Sequence, residues 1–543
     1  MTAPHADLVI RGRVVVAAEP DGLLTAEAVG IAAGRVVSVG TREQVDDAAA
    51  PSARVIDAGE AAVIPGLHDF HLHLVGLARS RTAIGLDDAA HGGEVLDRLR
   101  AAAVGGGDAW ITGRGWSEAQ LAAVPPGALD AAVGERLAFL SSHDGHSAWA
   151  SGTARRLAGL TATTPDPDGG RIERDPRGEP TGILRETALD LVAPLVARLQ
   201  GDALRAPLEA TLRGLAAFGI TGASEAGDYT DANGVGADAA MGDSYSSLTD
   251  LGDLVDGRLR LTLGIPVDAI SAAAARGLRT AMALDHRRTM RFGWAKEYAD
   301  GALGSGTAAL FEPRTCGDGG TGILRVTPDG LDALFAVGRA AGIGLAVHAI
   351  GDRAAATVLD AVERAPARLA GQLLDRMEHA QLLRDTDAGR FARLGVIASI
   401  QPIHAAADRD LVESCWDGRQ EGAYAWRSLL AAGAHLAAGS DAPVESVNPW
   451  LGIFAAVHRR LPTDDRGDWR PGQALSIAEA LSAYTLGPAQ AIGADDEGHL
   501  RPGARADLAV LSVDLDTLLA ADERLSEVSS VMTLVDGREV PAV

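Results

Sequence analysis

From about residue 66 to residue 485, short apolar runs alternate with helical stretches. That rhythm limits the fold more than any other feature of the chain. Repeated β-α units build a parallel sheet covered by helices. The candidate strands end near His73, Asp144, Glu225, Pro266, Tyr298, His348, His379, Pro402 and Asp441, nine candidates for the eight places of a closed barrel. Trp110-Ile-Thr-Gly113 could be a tenth. The weakest, 259–266 and 110–113, are expected outside the barrel. Leu331–Ala341 and Ala354–Arg364 read as amphipathic helices between strands. Asp228 to Asp250, polar and glycine-rich, reads as a long loop of the kind that is usually functional or disordered.

The two ends differ from the middle. Residues 1–65 carry β-branched runs cut by glycine turns, and 486–543 repeat the style with a strand at 506–512 and a hairpin from Ser530. Both ends are expected to form one small β-sandwich domain beside a barrel spanning 66–485. The predicted fold is therefore a distorted (β/α)8 barrel with that sandwich attached.

Composition narrows the function. With 73 acidic and 49 basic residues the net charge is −24, which repels phosphate backbones and anionic lipid. Nucleic acid and membrane partners are not expected. Cys316 and Cys415 are too few for a disulfide framework or a thiolate metal site and are expected to be inert. No apolar run approaches the ~20 residues of a membrane span. Met1 to Val16 shows no signal pattern, so a cytoplasmic location is expected.

Of the 49 basic residues, Lys296 is the only lysine. Arginine replaces lysine in most surface roles, but it cannot act as a neutral amine. Lys296 lies on a predicted strand, Trp294-Ala-Lys-Glu-Tyr298, that points into the barrel. Burial lowers a lysine pKa, and a neutral amine can take up CO2 as a carbamate whose oxygens bridge two metal ions. His71 and His73 stand at i and i+2 on a strand, so both imidazoles face one side and can bind one ion. His348 and His379 each end an apolar strand, and Asp441 ends the last one. A helix N-cap would also explain Asp441. In a barrel, strand C-termini carry the active site.

This set of four histidines, one lysine and one aspartate resembles the amidohydrolase superfamily of metal-dependent hydrolases. It is more narrowly similar to the YtcJ-like, or type 3, branch, which includes N-substituted formamide deformylases. Trp110-Ile-Thr-Gly-Arg-Gly-Trp116, Ser142-His-Asp-Gly-His-Ser-Ala-Trp149, Gly178 to Glu186, Lys296 to Leu310 and Gly439-Ser-Asp-Ala-Pro-Val444 carry the closer resemblance. It implies that His71 and His73 hold a first metal, and that carboxylated Lys296 bridges to a second held by His348 and His379. Asp441 would ligate the first metal and take the proton of the attacking water. Two departures stand near the implied pocket: Gly306 where arginine is expected, and Glu297-Tyr298 in place of a more apolar pair.

His146, Asp144, Gln401 and His404 are candidate substrate contacts, with His143 beside them. His68 reads as structural, and Trp110, Trp116, Trp149 and Trp294 as core or pocket wall. The expected function is hydrolysis of an amide-like C–N bond of an N-acyl or N-formyl amine by metal-activated water. Lactone or ester hydrolysis is the alternative on the same site. A deaminase would carry glutamate three residues after His348, where this chain has Gly351. A non-catalytic barrel binding protein is the rival of a different class. One or two divalent ions per chain are expected, zinc first, although the ligands also suit Mn, Fe or Co. The expected partners are a small-molecule substrate and a second copy in a homodimer.

Overall fold

The computed structural model describes residues 5–105, 109–227, 239–317 and 319–542. Eight parallel strands pair in chain order: β1 (Leu67–Leu72), β2 (Ile220–Glu225), β3 (Arg260–Pro266), β4 (Met290–Tyr298), β5 (Leu345–Ala349), β6 (Asp375–His379), β7 (Val396–Ile400) and β8 (His435–Ala438). The turn after β8 closes the ring. There the Asp441 N–H donates to the His71 carbonyl at 2.7 Å, and the His73 N–H to the Ala442 carbonyl at 2.9 Å. This is the distorted barrel that the β-α rhythm predicts.

Strands β1, β2, β3, β5, β6 and β7 are buried at every position, as both faces of a helix-covered parallel sheet must be. Helix Pro328–Ala341 shows how the covering layer is punctuated. Thr327 caps it by accepting from the Gly330 N–H, Pro328 takes the first turn, and Gly342 ends it in the left-handed region. Its buried stripe includes Leu331, Phe335 and Gly338.

Two strand assignments are corrected. The segment expected outside, 259–266, is barrel strand β3, whereas the candidate ending near Asp144 lies outside. Ala138–Ser142 belongs instead to a six-stranded sheet inserted between β1 and β2, together with Ile84–Gly85, Ile111–Trp116, Ser147–Ala150, Gly170–Arg174 and Pro180–Glu186. The physical reason is that a short apolar run states its burial and not which sheet buries it. The turn between Ala138–Ser142 and Ser147–Ala150 brings Asp144 and His146 to the barrel mouth.

A seven-stranded sheet uses both ends of the chain. Ala49–Pro65 sits at its centre, parallel to Ala6–Glu19 and antiparallel to Leu508–Asp514. The segment leading into Leu508–Asp514 meets the barrel at the N-terminal ends of β3 and β4 through buried charges. Arg260 reaches Asp507 at 3.0 Å, and Arg291 reaches Glu497 at 2.5 Å.

The expected loop at 228–250 is partly helical, with Asp243–Asp250 forming a helix whose first residue, Asp243, pairs with Arg79; 228–238 lie outside the described residues. The two cysteines expected to be inert are bonded to each other as Cys316–Cys415. They are far apart in sequence but adjacent in space, because the chain after β4 packs against helix Arg409–Cys415. Thr315 N–H donates to the Cys415 carbonyl at 3.0 Å. Among the described residues, no helix is long and apolar enough to cross a membrane.

Candidate active site

Closure of the barrel assembles the site. Asp441 sits in the left-handed region at φ 59°, one residue past Ser440, whose hydroxyl and N–H both donate to Asp69 of β1. Gly439 permits the approach, since a Cβ there would lie 2.2 Å from the His71 nitrogen. Asp441 Oδ1 therefore lies 3.3 Å from His71 Nε2 and 3.2 Å from His73 Nε2. His379 is also left-handed, at φ 71°. Such conformations cost of order 1–3 kcal/mol each in non-glycine residues and cluster at functional sites.

One ligand atom each from His71, His379 and Asp441 lies within 4.8 Å of the others, and all three residues are buried. His71 Nε2, His379 Nδ1 and Lys296 Nζ are buried without a hydrogen-bond partner. Unpaired buried polar atoms are costly, so three in one cavity fit a site built to take an ion. Burial holds the His348 and His379 rings well below the ordinary histidine range, so both are neutral. His348 Nε2 faces the Gly301 carbonyl at 3.1 Å. A carbonyl only accepts, so Nε2 carries the hydrogen and Nδ1 keeps the ring's lone pair. His348 and His379 stack edge-on with centroids 4.6 Å apart. His348 thus stands beside the His71–His379–Asp441 group rather than within it.

Burial lowers Lys296 from its ordinary 10.5 to about 8, against the opposing pull of Glu378 and Asp441. Its Nζ lies 4.7 Å from the centre of the Tyr298 ring. Burial alone would raise the Asp441 carboxyl. The imidazoles of His71, His404 and His73 gathered around it outweigh that and hold the group well below the usual range.

The substrate-contact candidates divide. His146 and Asp144 line the space over the cluster, and His404 Nε2 lies 3.4 Å from Asp441 Oδ2. Gln401 does not line it; its amide turns toward Ser399. Asp144 accepts from the Ser142 hydroxyl at 2.6 Å and the His146 N–H at 3.0 Å, so it shapes the turn that carries His146. His143 pairs with Glu445 at 3.3 Å. Where arginine was expected at Gly306, the Arg314 guanidinium bonds the Gly306 carbonyl and fills the space beside it.

Sequence reasoning passed over Glu378, Arg376 and Glu186. Glu378 is fully buried and accepts from His71 Nδ1 and from Arg376, whose Nη2 also reaches the Phe70 carbonyl at 2.7 Å. A carboxylate on the far nitrogen of a ligating histidine fixes its tautomer and direction. The signal was available: Arg376 and Glu378 are charges at i and i+2 on a strand otherwise suited to the core. Glu186 holds His146 Nδ1 at 2.9 Å and accepts from Thr307 at 2.5 Å. Burial depresses His146, and the Glu186 carboxylate lifts it back above the ordinary value. No sequence signal marks that pairing, because 40 residues separate the partners.

The amidohydrolase family model matches residues 54–541. The chain belongs to the amidohydrolase family, and with it to the hydrolase class of enzymes. The Bacillus subtilis (strain 168) protein named "Putative amidohydrolase YtcJ" is 30% identical over 95% of this chain and 96% of its own. N-substituted formamide deformylase of Arthrobacter pascens is 29% identical, covering 94% of each. The crystal structure of an uncharacterized metal-dependent hydrolase from Pyrococcus horikoshii OT3 superposes with a TM-score of 0.73 at 26% identity, over 95% of this chain and 99% of that one.

Proposed function

We propose that the protein hydrolyses an amide-like C–N bond, that of an N-acyl or N-formyl amine, at a divalent metal site formed by His71, His73, Lys296, His348, His379 and Asp441. The observation that carries the reading is the group His71, His379 and Asp441, with buried unpartnered nitrogens on His71, His379 and Lys296. The similarity to a formamide deformylase and to a metal-dependent hydrolase supports it.

A divalent ion held there, zinc being our choice, would lower the pKa of water toward ~7 and polarise the amide carbonyl. Asp441 accepts the proton of the attacking water at Oδ1 or Oδ2 and returns it to the departing nitrogen. Glu378 keeps hydrogen on His71 Nδ1, so that Nε2 presents its lone pair to the ion. Lys296, a neutral amine above about pH 8, adds CO2 with loss of one proton to give a carbamate. The new carboxylate supplies the charge that neutral His348 and His379 lack.

The test is elemental analysis of protein never exposed to chelator, followed by assay on a panel of N-formyl and N-acyl amines. We expect one or two divalent ions per chain, and turnover that Asp441→Asn abolishes. Protein without metal, or an Asp441→Asn variant with normal kcat, would sink the reading.

A further inference from the structure

The space over the ligand cluster is two cavities that meet there, and their walls differ in chemistry. The larger, about 640 Å³, lies between the barrel mouth and the inserted sheet. Trp110, Phe139, Leu189, Pro194, Val196 and Leu199 give it an apolar wall. The guanidiniums at its edge are engaged: Arg79 and Arg198 face Asp243, and Arg114 bonds the Pro443 carbonyl. The smaller cavity, about 260 Å³, is acidic. Asp87, Glu118, Asp144, Asp408 and Glu445 line it in addition to Asp441, and among the described residues no arginine or lysine does. Its cationic groups are imidazoles, His143 raised by Glu445, His146 raised against burial by Glu186 and His404 raised against burial by Asp441, so carboxylates outnumber them.

Besides Asp441, two of these carboxylates have cationic or imidazole partners, Glu118 with Arg185 at 2.9 Å and Glu445 with His143 at 3.3 Å. Hydroxyls serve two more, Tyr424 on Asp408 at 2.5 Å and Ser142 on Asp144 at 2.6 Å. A separate observation points to a donor-bearing occupant. Gln381 lines the same cavity at 2% exposure, and its side-chain oxygen has no hydrogen-bond partner.

Ser142, Asp144, His146, His348, His379 and Asp441 line both cavities, so a molecule held at the cluster has room on either side of it. Asp441 is oriented the same way. Its Oδ1 faces His71 and His73, which line the larger cavity, and its Oδ2 faces His404, which lines only the smaller. Proton return from Oδ2 serves a nitrogen departing on the acidic side.

We infer that the substrates are amides of an apolar acyl group with an amine that carries a second, cationic group, the acyl arm in the larger cavity and the cationic amine in the smaller. This rests on the amide-hydrolase reading above. Water adds to the acyl carbon, the C–N bond breaks, and the water proton goes to the nitrogen, giving a carboxylic acid and the free amine.

The experiment uses the metal-loaded protein and three hexanoyl amides matched in length: those of putrescine, butylamine and γ-aminobutyrate. We expect kcat/KM to fall in that order, by about tenfold or more from the first to the second, as opposite and like charges at a confined site require. In Asp87→Asn and Glu445→Gln the ratio of the first two should fall toward one. Equal rates across the series, or a preference for the γ-aminobutyrate amide, overturn the inference and leave the hydrolase standing. If no amide is cleaved, the amide-hydrolase reading fails. Calorimetry with putrescine and butylamine then reads the cavity directly: tighter putrescine binding supports the acidic subsite, and equal or weaker binding overturns it.

Discussion

Glu378→Gln is a small change in shape and a large change in hydrogen bonding. The carboxylate receives only donors: His71 Nδ1–H on one side and the Arg376 guanidinium on the other. An amide has one oxygen and one NH2, so one of those donors must meet the NH2. If the NH2 faces Arg376, a buried donor loses its acceptor, at about 1–3 kcal/mol. If it faces His71, Nδ1 must become the acceptor and the hydrogen moves to Nε2. The lone pair that Nε2 offers to an ion is then gone. The same inversion of tautomer is known when an aspartate behind a catalytic histidine becomes asparagine.

Both routes lead to weaker metal binding. Loss of such an outer partner costs about 10–100-fold in affinity or activity, equivalent to about 1.4–2.8 kcal/mol at 1.4 kcal/mol per decade. Arg376 keeps the Phe70 carbonyl and the Ser399 hydroxyl as acceptors, so the variant should still fold. The assay is metal affinity by chelator competition, with thermal unfolding of the metal-free protein run alongside. Affinity within twofold of the parent would show that Glu378 does not set the His71 tautomer, and would refute the reasoning.

Other expectations follow from the same site. Asp441→Asn should lower kcat by about 10²–10⁴-fold, measured at saturating substrate and with metal content matched. For Lys296, the unfolded chain holds the proton between about pH 8 and 10.5 while the folded chain does not, so metal-free protein should gain stability as pH rises through that window. At 1.36 kcal/mol per pH unit the gain is about 3 kcal/mol, and Lys296→Met should lack it in parallel denaturant titrations. Lys296→Arg should bind fewer ions and lose most activity, because arginine cannot form a carbamate; unchanged metal content and rate would exclude the carbamate. Cys316→Ser should be less stable by about 2–4 kcal/mol under oxidising conditions and match the parent under reducing ones, by denaturant titration.

The barrel and the polar residues at its mouth were largely legible in the sequence for one physical reason. In a fully buried parallel strand every residue is selected for the core, so a polar residue at the strand's end stands out against Val, Leu and Ala. His71, His348 and His379 are visible on that ground. Glu378 was equally visible, one residue before His379, but histidine draws attention as a ligand and a buried glutamate does not. The assignment of strands to sheets was not legible. Ala138–Ser142 and Arg260–Pro266 are both short buried runs, and only long-range pairing distinguishes the inserted sheet from the barrel. The disulfide was hidden for a similar reason, since its cysteines meet across 99 residues.

The inserted sheet also separates what the site can do from what it accepts. The ligand candidates sit on strands locked by barrel pairing and by the contacts between β1 and the turn after β8, where a shift of one residue would move every side chain to the other face. The walls around them come from the inserted sheet, the chain after β4 and helices beyond β7. Changes at Trp110, Phe139 or Asp87 can therefore alter the substrate without touching His71, His379 or Asp441. His146 is the exception. It is carried by the insertion, held by Glu186 of the same sheet, and stacked 4.9 Å from His348 of the barrel. Through that contact the inserted sheet and the barrel must keep a fixed relation for the site to hold its shape. Loosening Glu186 should thus disturb substrate binding and turnover together, whereas substitutions in the apolar wall should act on binding alone.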